Sequence, residues 1–336
     1  MEEQKRDIKL RLVNGLFSPF RLAVVKARRL VQDAQERQTA RQLLQLHAQA
    51  AGKKCDWSMA GIVFSKDRAL QLHALLSSYF EQVSDPAPLT VLYAASSPVH
   101  QSAYMQVFKQ FGVRPVEAVF EDGTLPFKEQ FVGIIDRTKA SRIFFLVDDI
   151  LFIRPVRFSD FRDFDPRNSI PSLRLGTNLR SAYTTQQTQP LPVFREISQD
   201  IIEFDWRQGH LDWGYPLSVD GHIFWTPEIR LLAKSLDYRS PNTLEAVLQQ
   251  YLPYFNWRPG LCYKKSRTLN IPANKVQQDN PNLHGSIHQD YLLEQWQGGR
   301  QMDYQAWYGF ENISCHQEVE IELINRAQEI PASRGS

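Results

Sequence analysis

The most constraining feature of this sequence is an apolar segment that ends in two adjacent carboxylates. Residues 142–147 read RIFFLV, and Asp148 and Asp149 follow directly. A strand with so few polar side chains is typical of the middle of a parallel sheet, because helices cover both faces there. The segments around it alternate between short apolar runs and amphipathic stretches, which predicts an α/β sheet.

This alternation begins near residue 56 and fades beyond about residue 166, where loops rich in Pro, Gln and Trp follow. The predicted strands are Gly61–Phe64, Leu89–Ala94, Val116–Phe120, Arg142–Val147 and one near Val219–Trp225. The predicted helices are Ala69–Phe80, Val99–Phe111, Phe127–Lys139 and one that begins near Asn242.

Asp148 and Asp149 are candidate site residues because they follow a buried strand. In an open parallel sheet, ligands bind beyond the carboxyl ends of the strands. Two neighbouring carboxylates repel each other unless a cation or a proton joins them. A divalent ion that prefers oxygen ligands, Mg²⁺ or Mn²⁺, would join them and could also bind a diphosphate. The alternative is an Asp pair that caps a turn by accepting hydrogen bonds from backbone amides.

A second polar segment, Ser65-Lys66-Asp67-Arg68, follows the first predicted strand and precedes a helix. It combines a hydroxyl, two cations, a carboxylate and backbone amides, which together suit a ribose and phosphates. Lys128, at the start of a later helix, is a further candidate phosphate contact. The alternatives are a polar helix cap with solvated charges for the segment and simple solvation for Lys128.

A third polar group interrupts the strand predicted near residues 219–225. Asp220 and His222 flank Gly221, whose backbone freedom suits a break in a strand. Glu245 follows in the first turn of the next predicted helix, with Asn242 as its expected N-cap. A glutamate held at a helix start suits a general base. The alternatives are buried polar residues in the core and an ordinary capping box.

Aromatic residues are concentrated in the second half, where six of the seven tryptophans lie beyond residue 200. Flat aromatic faces beside polar groups often hold sugar rings, although an aromatic core explains most of them equally well. Trp213, in the segment DWGYP, is the best candidate for a sugar contact. His316, in SCHQE, is a candidate late ligand, but the histidines show no clear metal-ligand spacing.

Charge is divided unevenly along the chain. The 336 residues have a formal charge of +2, which does not favour nucleic acid as a partner. The first 54 residues hold twelve basic and five acidic side chains, so they carry +7 and the remainder carries −5. This arm reads as a helix over Phe20–Ala48. Residues 1–50 are therefore expected either to rest on an anionic membrane surface or to pair with the body or a second copy.

Three widely spaced cysteines form no CxxC pair, which favours a reducing compartment over a disulfide framework or a zinc site. No apolar run is long enough to span a membrane, and the start of the chain does not resemble a signal peptide. The chain is therefore expected in the cytoplasm, with peripheral membrane contact as an option. Three regions are predicted: a basic helical arm (1–55), a nucleotide-sugar-binding half (56–165) and an acceptor-binding half with a C-terminal extension (166–336).

Taken in order, three motifs resemble those of nucleotide-sugar glycosyltransferases with the GT-A fold, in particular the family-two-like group. They are IVFSKDR, FFLVDDILF as a variant of the DxD motif, and SVDGHIF followed by SPNTLEAVL, and the resemblance covers roughly 60–250. It implies a Rossmann-like, mixed and mostly parallel sheet flanked by helices. The first position of the DxD motif is Val147 here, and the usual acidic pair near the base is Leu244-Glu245.

The resemblance also implies roles for the candidate residues. Residues 65–68 would contact the donor nucleotide, Asp149 would hold the metal, and Asp148 would touch the ribose or the metal's water shell. Glu245 would take the proton from the acceptor hydroxyl and give inversion, with Asp220 as the fallback base or an acceptor ligand beside His222. The expected partners are a nucleotide-sugar donor and a glycan or lipid-linked acceptor, with Mn²⁺ or Mg²⁺, in surface glycan or polysaccharide synthesis.

Two other functions remain open from the sequence. A sugar-phosphate nucleotidyltransferase would also need acidic metal ligands, but the Gly-rich loop that it normally has after the first strand is missing from SKDR. A non-catalytic sugar-binding or scaffold protein on a degenerate fold of the same kind would explain the altered DxD motif.

Overall fold

The computed structural model describes residues 33–273 and 289–326. The chain divides into two compact units, Met1–Gly52 and Lys53–Ser336. In the first unit, residues 33–50 form a helix, α1, within the predicted arm. The part of the predicted arm helix before residue 33 lies outside the described residues. The three regions predicted from the sequence remain predictions.

The second unit contains short strands and helices. In chain order the strands are β1 (Met59–Lys66), β2 (Leu89–Ala94), β3 (Val116–Phe120), β4 (Arg142–Val147), β5 (Ile150–Phe152), β6 (Ile170–Ser172), β7 (Ser181–Ala182), β8 (Gln187–Thr188), β9 (Phe194–Glu196), β10 (Ile201–Asp205), β11 (Ile223–Trp225), β12 (Pro259–Tyr263), β13 (Thr268–Asn270), β14 (Arg300–Met302) and β15 (Leu323–Asn325). The helices are α2 (Ala69–Gln82), α3 (Pro98–Gln110), α4 (Phe127–Arg137), α5 (Thr226–Ser235), α6 (Pro241–Leu248), α7 (Leu252–Phe255) and α8 (Gln289–Gln297).

A five-stranded sheet forms the centre, in the order β11-β4-β1-β2-β3. Strands β4, β1, β2 and β3 are parallel, and β11 runs antiparallel to β4. This is the mixed, mostly parallel α/β sheet that the sequence predicts. A four-stranded sheet, β6-β12-β10-β9, comes from the irregular second half of the chain.

The apolar character of β4 determines the centre of this sheet. Residues 143–146 are completely buried between β1 and β11. Gly61 on β1 allows this close packing, because a Cβ atom there would lie 2.5 Å from the Phe144 ring and from Leu89 Cδ2. The register pairs Phe64 with Val147, so β1 and β4 end side by side. The polar segments that follow these two strands are therefore neighbours.

Local sequence determines where several helices begin. Helix α3 starts after Ser97, whose Oγ accepts a hydrogen bond from His100 N at 3.3 Å, with Pro98 at its first position. Helix α6 starts after Ser240, which forms a capping box with Thr243. The predicted N-cap at Asn242 is therefore wrong, and Glu245 lies in the second turn of α6 rather than in the first.

A buried ion pair joins α5 to the segment before β12. The Glu228 carboxylate accepts two hydrogen bonds from Arg258, at 2.5 and 2.9 Å, and both residues are at most 2% exposed. Removal of one partner of such a bidentate pair lowers the stability of the fold, because the remaining charge would be left buried without a counter-charge.

We therefore expect Glu228→Gln to lower the free energy of unfolding by about 3 kcal/mol, because Arg258 would keep a buried, uncompensated charge. Urea unfolding monitored by circular dichroism measures this loss. The matched control is Glu117→Gln, which breaks an exposed pair with Arg137 and should cost at most about 1 kcal/mol. Equal losses in the two variants would show that the buried pair has no special role.

Candidate active site

The candidate site lies at the carboxyl edge of the central sheet. Ser65 and Lys66 end β1, Asp67 and Arg68 lead into α2, and Asp148-Asp149 join β4 to β5. The parallel register brings these two segments together although they are about 80 residues apart in the chain. This is the edge at which an open parallel sheet binds ligands.

Asp148 is the central acceptor of the hydrogen bonds at this edge. Its Oδ2 accepts from Ser65 Oγ at 2.8 Å and from Lys66 N at 3.1 Å, and its Oδ1 accepts from Arg68 at 2.9 Å. The side chain is only 4% exposed. In the structure Asp148 therefore holds the two loops together, and both of its oxygens accept hydrogen bonds from the protein. Its predicted contact with the ribose or the metal's water shell stays a prediction.

Arg68 is the cation that the paired carboxylates require. One of its guanidinium nitrogens lies 2.9 Å from Asp148 Oδ1 and 3.0 Å from Asp149 Oδ2. The sequence analysis assigned this bridging position to a divalent ion. Within residues 33–273 and 289–326, no group of three or more His, Cys, Asp or Glu side chains is arranged to hold a metal ion.

Asp149 differs from Asp148 because one of its oxygens has no donor. Asp149 Oδ1 is buried and accepts no hydrogen bond from the described residues, while Oδ2 accepts from Arg68. Burial raises the pKa of Asp149 to about 6, the charges of Asp148 and Asp220 add to the rise, and Arg68 and His316 oppose it. Asp149 Oδ1 is therefore an acceptor that a cation or a protonated ligand group could use.

Tyr104, which the sequence analysis missed, completes the support of the β1 loop. Its hydroxyl accepts a hydrogen bond from Arg68 N at 3.0 Å and lies 2.6 Å from Ser65 Oγ, which in turn donates to Asp148. Burial raises the pKa of Tyr104 above its usual range, so the hydroxyl keeps its proton. The sequence of α3 does not predict this contact, because the contact depends on how the helix packs against the sheet.

The remaining predicted donor contacts are spread along the same edge. Asp67 has a positive φ of 54°, is buried, and accepts from Ser96 N at 2.7 Å. Lys66 is exposed. Lys128 lies in the first turn of α4 with its ammonium 5.8 Å from the centre of the Tyr238 ring. These positions leave Lys66 available to a ligand, whereas Asp67 acts on the backbone of the next loop.

A second cluster of charges surrounds Asp220, just before β11. His316 Nε2 lies 3.3 Å from Asp220 Oδ2, and an Arg174 nitrogen lies 3.6 Å from the same oxygen. Burial would raise the pKa of Asp220, but the hydrogen bond and charge of His316 and the charge of Arg174 lower it overall. Asp220 is thus held as an anion between Arg174 and His316. Burial alone would lower the pKa of His316, but the hydrogen bond to Asp220 raises it overall. Gly221, with φ of +70°, makes the backbone turn that places it there.

Glu245 belongs to this cluster. Its Oε1 accepts from Val219 N at 3.3 Å. Burial and the charge of Asp220 raise the pKa of Glu245 to about 7, and Arg174 opposes the rise. Since Asp220 also raises the pKa of Asp149, its carboxylate links the two parts of the site. The predicted base and the predicted metal ligand therefore lie in one electrostatic environment.

Two predicted acceptor contacts do not face the site. Trp213 is completely buried, with its ring centre 4.9 Å from that of Phe204. His222 is 1% exposed, its Nδ1 lies 3.0 Å from Pro216 O, and burial lowers its pKa to about 3. Both are core residues in this structure, so the prediction that they contact an acceptor is wrong here. Their burial depends on the packing of the irregular second half, which no short motif reveals.

Arg174 and His316 are the residues that sequence reasoning undervalued. Arg174 is 6% exposed and also binds Asp212 at 2.6 Å and Ser218 Oγ at 2.8 Å. Neither residue lies in a recognisable motif, and each is more than 40 residues from Asp220 in the chain. Only the fold brings them to the site.

Comparison with known proteins adds one sequence relative. Over 244 residues the chain is 22% identical to the bifunctional glycosyltransferase pgtA of Dictyostelium discoideum, an alignment that covers 66% of this chain. The matched relative is a glycosyltransferase. The expected resemblance is thereby confirmed, although the chain spans only 29% of that relative's length. No family model matches the chain.

Several solved structures resemble part of the chain at low sequence identity. S. aureus TarS is 14% identical, with 70% of this chain and 38% of that chain covered and a TM-score of 0.40. The mannosyltransferase PcManGT of Pyrobaculum calidifontis, solved with GDP-Man and Mn²⁺, is 16% identical, with 41% and 45% covered and a TM-score of 0.29. With scores this low, the fold class rests on the strand order of the chain itself.

The raised pKa of Glu245 predicts a pH-dependent stability. Between about pH 4.5 and pH 7 the folded state binds this proton more tightly than the unfolded state, so stability falls as the pH rises. We expect Glu245→Gln, which cannot ionise, to remove on the order of 1–3 kcal/mol of this loss between pH 5 and pH 8. Urea unfolding across this range measures it.

The control for this measurement is Glu294→Gln on the exposed side of α8, which should follow the wild-type pH dependence. If Glu245→Gln also follows the wild type, the Glu245 carboxyl is not held in its neutral form by the fold.

Proposed function

We propose that this chain is a glycosyltransferase that moves a sugar from a nucleotide-sugar donor to a hydroxyl of a glycan or lipid-linked acceptor. The observation that carries the proposal is the convergence of Asp149 and Glu245 around Asp220 at the carboxyl edge of the sheet. The sequence similarity to a glycosyltransferase supports the same reaction class. Surface glycan or polysaccharide synthesis is the setting that we propose for it.

In the proposed reaction Glu245 is the general base. Its carboxylate removes the proton of the acceptor hydroxyl, whose oxygen forms a bond to the anomeric carbon as the bond to the donor phosphate breaks. Attack from the face opposite the leaving group inverts the anomeric configuration. A base with a pKa near the working pH is half ionised and still basic enough to accept the proton.

Asp220, with Arg174 and His316 beside it, adjusts the pKa of this base. The hydrogen bond to His316 and the charge of Arg174 hold Asp220 as an anion, and this anion keeps the pKa of Glu245 high. The Asp148–Arg68 pair fixes the β1 loop, so that the exposed Lys66 side chain lies beside the donor phosphates. Its positive charge opposes the negative charge that grows on the departing nucleoside diphosphate.

A divalent ion, Mg²⁺ or Mn²⁺, fits this site only in part. Asp149 Oδ1 is a buried anionic oxygen without a donor, which suits such an ion, whereas both Asp148 oxygens are already hydrogen-bonded. We propose Asp149 as the protein's ligand. When bound, the ion would neutralise charge on the donor diphosphate.

Two aspects of location belong to the proposal. No helix in the described part of the chain is both long enough and apolar enough to cross a membrane. We propose a cytoplasmic enzyme whose three cysteines are free thiols, with residues 1–50 in contact with a membrane surface or a second copy.

The donor site is tested by thermal unfolding with a panel of nucleoside diphosphates, each with and without Mn²⁺ or Mg²⁺. A ligand at about 100 times its Kd stabilises the native state by about 2.7 kcal/mol, so one diphosphate should raise Tm by several degrees. We expect Asp149→Asn to lose the part of the rise that requires metal. The matched control is Asp163→Asn, an exposed residue beyond the opposite end of β4, which should behave as wild type.

Absence of a shift with every nucleotide would contradict the donor site. It would favour the alternative of a sugar-binding or scaffold protein, for which the internal Arg68 bridge between the two carboxylates is the supporting observation.

The base is tested by release of nucleoside diphosphate from the donor, with water as the acceptor. Removal of a general base costs roughly 10²- to 10⁴-fold, so Glu245→Gln should reduce kcat by this factor. The nucleotide-induced rise in Tm should persist, because Glu245 does not contact the donor in the proposal. In the wild type, kcat should rise with pH through about 7. An unchanged rate in Glu245→Gln would exclude this residue as the base.

A further inference from the structure

A cavity of about 390 Å³ adjoins the candidate active site. One wall is the segment Ile271–Ala273, which follows β13, and another is the extended segment 318–323 before β15. Leu292 of α8 forms part of the remaining wall. Its volume lies within the range of cavities that hold small molecules.

Backbone hydrogen bonds place both walls of the cavity beside the candidate site. Ile271 N donates to Asp149 O at 2.8 Å, so this wall begins beside the proposed metal ligand. Gln317 N donates to Asn270 O at 3.0 Å, and His316 precedes it in the chain. The other wall therefore begins two residues beyond the histidine that contacts Asp220.

The walls are mainly apolar for a reason that the sequence shows. Residues 318–323 read EVEIEL, and the alternation of an extended chain turns Val319, Ile321 and Leu323 inward and exposes the glutamates. The three inward side chains are half-buried and pack on the main core. Together with Ile271 and Leu292 they present an apolar surface that still has room beside it.

The charges at the cavity favour an uncharged occupant. Glu318 and Glu320 contribute to its lining, and none of the lining residues within the described part of the chain is Lys or Arg. An anionic group such as a phosphate or a fatty-acid carboxylate would meet two carboxylates and no cation among these residues. An alkyl chain has no charge for these carboxylates to repel, and burial of its CH₂ groups contributes favourable binding free energy.

We infer that this cavity is the subsite for an uncharged alkyl chain carried by the acceptor. The inference rests on the proposed function and deepens it, because it names the acceptor class as hydroxyl compounds linked to an alkyl or lipid chain. It assigns Ile321 and Ala273, on opposite walls, to selection of that chain.

The test uses n-alkyl β-D-glucopyranosides from methyl to octyl, below their micelle concentrations, with binding to the full chain measured by isothermal titration calorimetry. Each CH₂ group that enters the cavity should tighten binding about fourfold, so Kd should fall steadily from butyl to octyl. Ile321→Trp, which fills the cavity, should remove this dependence on chain length. Ala273→Leu should weaken it from the opposite wall, and it serves if Ile321→Trp does not fold.

The matched control is Ile324→Trp. This residue is 40% exposed and does not line the cavity, so the variant should keep the wild-type series. A wild-type Kd that does not change with chain length would overturn the inference. An equal loss of the dependence of Kd on chain length in all three variants, Ile321→Trp, Ala273→Leu and Ile324→Trp, would also overturn the inference.

The same preparations distinguish this inference from the proposed function. Stabilisation by a nucleoside diphosphate without chain-length-dependent binding overturns the subsite and leaves the transferase intact. Chain-length-dependent binding without any nucleotide effect overturns the assignment of the chain to an acceptor, because no donor site would then exist. Both effects together, with nucleotide stabilisation unchanged in Ile321→Trp, are the result that we expect.

Discussion

The Asp148 carboxylate is the constraint on which the rest of the site depends. It follows the most buried strand of the sheet, and it joins the ends of β1 and β4 by accepting hydrogen bonds from Ser65, Lys66 N and Arg68. Because Arg68 is held in this way, its guanidinium also reaches Asp149 Oδ2, whereas Asp149 Oδ1 has no hydrogen-bond donor among the described residues. One buried carboxylate thus fixes the loop after β1, the orientation of Arg68 and the hydrogen bonding of Asp149.

The cluster around Asp220 has the reverse arrangement of charge. Arg68 lies between two carboxylates, whereas the Asp220 carboxylate lies between Arg174 and His316. Asp220 is an anion held by the charge of Arg174 and by the hydrogen bond to His316. The charge of Asp220 in turn raises the pKa of Asp149 and of Glu245. Among the described residues, Asp220 forms no side-chain hydrogen bond to either of them. Removal of a single cation from this cluster would alter all three acids, so their effects on activity should not be additive.

The sequence predicts the central sheet closely because its information is local. Strands β2, β3 and β4 have the predicted bounds, since apolar runs bounded by turns report strands directly. The site was only partly predictable. The need for a cation between Asp148 and Asp149 follows from Coulomb's law, but its identity as Arg68 depends on a register that spans about 80 residues. Trp213 and His222 were misassigned because burial in the second half depends on contacts between distant segments.

The energetics of the two acids favour an active enzyme over a scaffold. A buried carboxyl whose pKa is raised makes the fold less stable above that pKa, and Asp149 and Glu245 both have this property near neutral pH. Apolar or amide side chains at these positions would give a more stable protein. A fold that served only to bind or to support has no use for this loss of stability, whereas an acid near pH 7 is what proton transfer requires. The two raised pKa values therefore support the proposed proton transfer at the sheet edge, and the cavity whose wall begins at Ile271 lies beside it.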